Sequence, residues 1–234
     1  MVSAVGVVSG RRNFCRGCVV NVLSLSGGKD SVAAYFLCRD EIDIIVYADG
    51  GVDFPAIRET ALLIGHDFVS RGGRFEVVTF DFLLGLRRWG WPSFCCRWCT
   101  KLKVATITQF VRSLSFDVVS YQGIAFDEQY RCKPGFRYPL VEAGMTERQA
   151  LSLCYSEGVD FGGVYRSFNR TGCWCCPLGG QSGFYALYRY SSHLWSALGA
   201  LNDIASGSPH PVLNTYRYSY DSLTRKFQSQ LFWF

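Results

Sequence analysis

Val19-Val20-Asn21-Val22-Leu23-Ser24-Leu25-Ser26-Gly27-Gly28-Lys29-Asp30-Ser31 is the stretch whose reading decides the fold. Its first seven residues are a β-branched apolar run that reads as a buried strand meeting a turn. From Asp30 to Cys38 the composition is helical, with apolar side chains at Val32, Tyr35 and Phe36. Strand, glycine turn and helix in that order make an anion cradle. Two glycines let the backbone turn sharply and approach a ligand with no Cβ in the way. The amides so freed, with the positive end of the helix dipole, favour phosphate. Ser26 and Ser31 would add hydroxyl donors and Lys29 a point charge, while Asp30 would cap the helix or help hold Mg²⁺. An ordinary βα turn shares only the Gly-Gly pair. All six residues in this context point to a nucleotide.

The same alternation continues downstream. Residues 42–48 read as a second buried strand, followed by the loop Asp49-Gly50-Gly51. Pro55 suits the first turn of a helix running to about His66, since its missing N–H costs nothing there. Residues 75–80 and 116–120 read as strands, with a helix at about 102–113 between them. Without hairpin signals, this pattern predicts an α/β fold: a parallel sheet flanked by helices. Thr146-Glu147-Arg148-Gln149 has the form of a capping box, opening a helix through about Glu157. Gly162-Gly163 breaks the chain, helix-compatible sequence follows Pro177, and a Gly/Ser/Pro loop lies near 206–211. Tyr216, Tyr218 and Tyr220 alternate as a strand would, and with Phe232, Trp233 and Phe234 they suggest packing or oligomer contact. The expected organisation is a lead-in at 1–18, a nucleotide-binding α/β domain at 19–145, a helical, cysteine-bearing segment at 146–190 and an aromatic tail at 191–234.

With 234 residues, 49% hydrophobic and 18% charged, the chain can bury a sizeable core and is not broadly disordered. The net charge is +5, and Arg greatly outnumbers Lys among the 24 basic residues, a surplus compatible with nucleotide or nucleic-acid partners. Eleven cysteines, an odd number with several adjacent, do not look like a secreted disulfide scaffold. No leader pattern and no apolar run of about 18 residues is seen, so the expectation is a cytoplasmic protein without a membrane span.

The hexad 26–31 resembles the signature loop of PP-loop (N-type) ATP pyrophosphatases, in the branch of phosphoadenosine-phosphosulfate (PAPS) reductases and DNA-phosphorothioation sulfurtransferases. Residues 47–55 resemble the Asp-Thr-Gly-x-x-x-Pro element of that branch, with Asp49 on its acidic position. Residues 123–128 resemble its Gly-Ile-Arg-x-Asp-Glu element. Residues 137–140 resemble the segment before its late cysteines. The likeness spans about residues 19–190. It implies an adenine nucleotide α-hydrolase-like (HUP) fold with a C-terminal helical, cysteine-bearing extension. It also implies nucleotide binding by Ser26, Gly27, Gly28, Lys29, Asp30, Ser31, Asp49 and Gly123, with Lys29 and Asp30 catalytic, and ATP and Mg²⁺ as cofactors. Two departures stand out: Gly50 replaces the usual Thr, and Ala125 replaces an Arg, for which Arg131 or Arg137 would have to substitute.

Two cysteine clusters, Cys95-Cys96-Arg97-Trp98-Cys99 and Cys173-Trp174-Cys175-Cys176, have the spacing of metal ligands. Cys99 to Lys103 resembles the family's Cys-x-x-Arg-Lys, and Cys173/Cys176 its late Cys-x-x-Cys, positions that bind a [4Fe–4S] cluster in cluster-bearing members. The implied ligands are Cys96, Cys99, Cys173 and Cys176, with Cys95, Cys175 and Cys154 as alternatives for the fourth and Zn²⁺ as the alternative metal. Cys38, Cys132 and the Cys15/Cys18 pair are read as core or incidental thiols.

The expected function is therefore ATP-dependent adenylation, leading to sulfur transfer onto a nucleic acid (tRNA or DNA) or a small substrate. A sulfur-donor protein, either a cysteine desulfurase or a thioredoxin-like protein, and a homodimeric state complete the expectation. A PAPS reductase is disfavoured, because the family's nucleophilic cysteine follows the late Cys-x-x-Cys and no cysteine follows Cys176. A noncatalytic nucleotide- and metal-binding module is the remaining alternative.

Overall fold

β-Branched, apolar segments separated by helices leave few architectures open, because each strand must be covered on both faces. A computed structural model describes residues 7–8, 18–213 and 219–230. Its strands are β1 (Val7–Val8), β2 (Val19–Leu25), β3 (Ile44–Asp49), β4 (Arg74–Thr79), β5 (Asp117–Gln122) and β6 (Phe136–Arg137). They form one sheet in the order β1-β4-β3-β2-β5-β6. β2 to β6 are mutually parallel, and the two-residue β1 pairs antiparallel with β4 at the edge. β3 lies centrally and is buried at all six residues, which accounts for its unbroken apolar run. The family expected from the cradle shares this α/β class; a doubly wound parallel sheet is what the structure itself establishes.

By internal contact the chain divides into two units. The first comprises residues 1–49, 54–80 and 103–164. It holds the sheet with α1 (Lys29–Cys38), α2 (Pro55–Ser70), α5 (Pro139–Glu142), α6 (Glu147–Ser156) and most of α4 (Trp98–Ser113). Ile107, Phe110 and Val111 of α4 pack against Val20, Val22, Ile44, Val46, Ala48 and Val78 on one face of the sheet. α2 lies so close to β4 that a Cβ on Gly65 would stand 2.3 Å from the Phe75 ring. Tyr35 of α1 meets Phe68 of α2 edge-on, with ring centroids 5.9 Å apart.

The second unit comprises residues 50–53, 81–102 and 165–234. Within it α3 (Phe82–Trp89) and α8 (Ser192–Ala205) pack together, and α7 (Gly180–Tyr190) and α9 (Tyr220–Gln230) close on α8. Trp195 stacks on Tyr220 with centroids 4.9 Å apart, and Phe227 lies 5.6 Å from Trp195. No described helix is long and apolar enough to cross a membrane.

Element boundaries differ from expectation at informative places. α4 begins at Trp98, four residues early, so Cys99 and Lys101 stand in its first turn. α3 has no counterpart in the sequence reading: its periodicity is short and its Leu83 and Leu84 are exposed. Tyr220 opens α9 instead of continuing a strand. Tyr216, Tyr218, Phe232, Trp233, Phe234 and Cys15 lie outside the described residues.

Candidate functional site

In a doubly wound sheet, ligands bind beyond the carboxyl ends of the strands, where neighbouring strands leave in opposite directions. Here that switch point lies between β2, whose chain proceeds to β3 and β4, and β5, which pairs with the other edge of β2. Ser26, Gly27 and Gly28 follow β2, and Gly123 follows β5. The sequence-derived loop therefore occupies the position that the topology favours for a ligand.

The loop is tightly specified. Gly27 has φ +77°, and a Cβ there would stand 2.3 Å from the Ile57 carbonyl oxygen. A side chain is excluded by backbone conformation and by space. Gly28 is the N-cap of α1 and supplies no side-chain cap, so no side chain of the cap residue covers the helix entrance. Ser31 Oγ receives the Ser26 amide at 3.0 Å, donates to the Gly28 carbonyl at 3.0 Å and lies 2.9 Å from Ser26 Oγ. The two serines thus brace the turn. Gly123 is needed for close approach: its Cβ would meet the Asp30 carbonyl oxygen and Ser31 Cα at 2.5 Å.

Lys29 and Asp30 sit in a cluster of charge. Lys29 Nζ lies 3.3 Å from Asp30 Oδ2 and 2.9 Å from Glu147 Oε2, and its side chain is only 13% exposed. Asp30 Oδ1 is buried without a hydrogen-bond partner. Burial raises the Asp30 pKa above the usual carboxylate value; Lys29 opposes the rise, while Glu147 and Glu128 add to it. Glu147 is held in place by its own element. Its amide donates to Asp127 Oδ1 at 3.1 Å, and the capping box between Thr146 and Gln149 is formed on both sides. Glu147 is the site residue that sequence reading missed. Its signal was present as an acidic residue in the first turn after the Thr146 cap, but nothing in the linear order ties it to Lys29.

Other expected residues are engaged as follows. Asp49, at the end of β3, accepts from Arg58 Nε at 2.8 Å and is 8% exposed. Asp127 binds the α6 entrance, and Glu128 pairs with Arg131. Arg137 binds Glu142 with its fork and lies over the Tyr121 ring at 5.2 Å. Ala125 is fully buried, and Arg131 and Arg137, the expected substitutes for an arginine there, are held by carboxylates. Cys154 is buried and its thiol donates to the Lys29 carbonyl at 3.4 Å; burial first and Asp30 second push it up to about 12. Cys38 donates to Ala34 within α1. Cys18 is disulfide-bonded and is not a spare thiol.

Cys132 is half-buried in the first unit, and Cys95, Cys96, Cys99, Cys173, Cys175 and Cys176 belong to the second. Residues 173–176 form a turn in which the Cys176 amide donates to the Cys173 carbonyl at 3.2 Å, and the Trp174 amide donates to Val52 at 3.1 Å. Burial raises the Cys175 thiol well above its usual value, with Cys173, Cys176 and Cys99 adding in that order. Cys99 is raised by burial and then by Cys176. Cys176 is raised by burial, against the pull of the Leu178 amide, Arg97, Arg170 and the Gly179 amide. Cys175 thus lies within electrostatic reach of Cys173, Cys176 and Cys99, and Cys99 within reach of Cys176. Cys95 and Cys96 are exposed, and the Cys96 amide bonds to Ser93. Among the described residues no three His, Cys, Asp or Glu side chains are drawn together as a metal cage. The donor chemistry nonetheless suits a thiophilic metal, since a cation offsets the cost of ionising buried thiols.

No known family model matches the chain, and no curated protein matches it.

Proposed function

We propose that this protein is an adenylating enzyme that splits ATP into AMP and pyrophosphate, using the Ser26–Ser31 loop as its phosphate cradle. The observation that carries the reading is the loop's place: a glycine turn braced by two serines, with no side-chain cap from Gly28 at the entrance of α1, at the switch point of a parallel sheet. ATP's polyanionic tail would take the loop amides and the Ser26 and Ser31 hydroxyls. Lys29 would exchange its Glu147 partner for phosphate, and Mg²⁺ would offset the remaining charge. A substrate oxygen attacks the α-phosphorus, the bond to the bridging oxygen breaks, and pyrophosphate leaves. A sulfur nucleophile then displaces AMP from the adenylate, which makes the overall reaction a sulfur transfer. The protein's share is positioning and charge stabilisation.

Metal binding by the second unit is the other half of the proposal. Cys99, Cys173, Cys175 and Cys176 would hold the metal, with Cys175 in place of the expected Cys96 because Cys175 is buried and feels the charge of the other three, whereas Cys96 is exposed. With a thiolate on each iron, a [4Fe–4S] cluster bound there would supply one-electron redox chemistry, and zinc a structural cross-link.

Product analysis with labelled ATP and candidate tRNA, DNA or small acceptors tests the reading. AMP and pyrophosphate formed in equal amounts support it, and ADP as the product overturns it. The Lys29–Glu147 pair favours one second reading, a noncatalytic nucleotide-binding module in which the lysine stays on its carboxylate. Saturable ATP binding with no AMP formed would establish that module. Sulfite release from PAPS with a thiol donor would establish a reductase. Anaerobic purification with an absorption spectrum and metal analysis tests the thiol set. A Cys175→Ser protein should lose metal that a Cys96→Ser protein retains.

A further inference from the structure

Charge is divided unequally between the two units. Residues 1–49, 54–80 and 103–164 carry 14 Lys and Arg against 15 Asp and Glu, a net of −1. Residues 50–53, 81–102 and 165–234 carry ten Lys and Arg against four Asp and no Glu, a net of +6. Along the chain the bias is sharpest from Phe82 to Phe116, which contains Arg87, Arg88, Arg97, Lys101, Lys103 and Arg112 and no acidic residue.

Within the second unit, packing gathers part of this charge. Phe82 and Trp89 of α3 lie 5.2 and 5.5 Å from the Trp98 ring, and Trp98 Nε1 donates to the Gly90 carbonyl. The end of α3, with Arg87 and Arg88, is thereby fixed beside the start of α4, with Arg97 and Lys101. All four cations are exposed, and none forms a salt bridge with a described residue. By contrast, Arg39, Arg58, Arg71, Arg74, Arg131 and Arg137 of the first unit all hold carboxylates. Phe94 is 57% exposed, and the Arg97 guanidinium stands 5.8 Å from its ring centroid. Arg88 lies over the Trp89 ring at 5.2 Å, an arrangement that leaves its charge without a carboxylate. Cations that hold no carboxylate, in the same segment as an exposed aromatic, combine phosphate attraction with a stacking face. A duplex hides its base faces, so that ring is usable only by an unpaired strand.

We propose that Arg87, Arg88, Phe94, Arg97 and Lys101 form a binding surface for single-stranded nucleic acid, the cations contacting phosphates and Phe94 stacking on a base. This surface stands apart from the nucleotide reading, because it operates with or without ATP. The test is a fluorescence-anisotropy titration of the full chain with short labelled single strands of DNA and RNA, the matching duplexes, and anionic lipid vesicles. Four phosphate contacts on a single strand predict a log–log salt slope of about −3, or about a 50-fold loss of affinity from about 50 to 200 mM salt. Phe94→Ala should weaken single-strand binding about tenfold and leave that slope unchanged. Arg87→Gln/Arg88→Gln/Arg97→Gln/Lys101→Gln should flatten the slope, whereas Lys133→Gln/Arg148→Gln/Arg189→Gln/Arg225→Gln, which removes equal charge elsewhere, should not. Equal affinity for duplexes, equal loss in both charge variants, or binding to vesicles but not oligonucleotides would each overturn the proposal. The native protein's slope and the Phe94→Ala result decide it even if the quadruple variant fails to fold.

Discussion

Gly27 and Asp30 each impose a cost that the loop retains. At Gly27 the backbone is left-handed and the Ile57 carbonyl occupies the space of a Cβ. Gly27→Ala is therefore expected to lose about 1–2 kcal/mol in urea unfolding from the left-handed backbone alone, and more from the clash with the Ile57 carbonyl. At Asp30 the sign follows from burial. The folded state binds the Asp30 proton more tightly than the unfolded state, whose carboxyl titrates near 3.8. Stability therefore falls as pH rises from that value through the raised folded one, and Asp30 opposes folding at neutral pH. Asp30→Asn should melt at a higher temperature than the native protein at neutral pH, with the gap closing in acid. A lower melting temperature at neutral pH would show that its bond to Lys29 outweighs burial. A carboxyl kept buried at a cost, with one oxygen unpartnered, suits a group whose partner arrives with a ligand.

At the scale of elements, two contacts hold the cradle's surroundings. α6 carries Glu147 to Lys29, and its entrance is organised by the Thr146–Gln149 box. Thr146→Ala should cost about 1 kcal/mol of unfolding free energy. By loosening the Glu147 contact it should also strengthen ATP binding, which calorimetric titration would measure. α2 rests on β4 through Gly65, where an added methyl would run into the buried Phe75 ring. Gly65→Ala should destabilise by about 1–3 kcal/mol in chemical denaturation, because the ring has no room to withdraw. The elements themselves were legible to very different degrees. β2, α1 and α6 announced themselves through β-branched runs, a glycine turn and a capping box. α3 did not, because eight residues make little more than two turns and the exposed Leu83 and Leu84 mask the buried stripe of Phe82, Gly85 and Leu86.

For the whole molecule, nucleotide binding should appear as linked stability. Mg²⁺–ATP at about 100 times its dissociation constant should add about 2.7 kcal/mol to the unfolding free energy. Thermal melts with ATP, AMP and pyrophosphate would measure it, and an unchanged melt would remove the nucleotide reading. Much of this molecule was determined by its linear order alone. The alternation of apolar runs with helical segments dictated a parallel, doubly covered sheet, because buried backbone must pair and each face must be sheltered. The Ser26–Ser31 hexad likewise carried its own turn and helix entrance, since both are local properties. What tertiary structure decided was pairing across distance. It set Glu147 on Lys29, Asp49 on Arg58, Gly123 against the backbone of Asp30 and Ser31, and Cys175 within electrostatic reach of Cys99 and Cys176. A charge or thiol finds its partner only where packed elements meet, and the spacing of residues along the chain holds no record of that meeting.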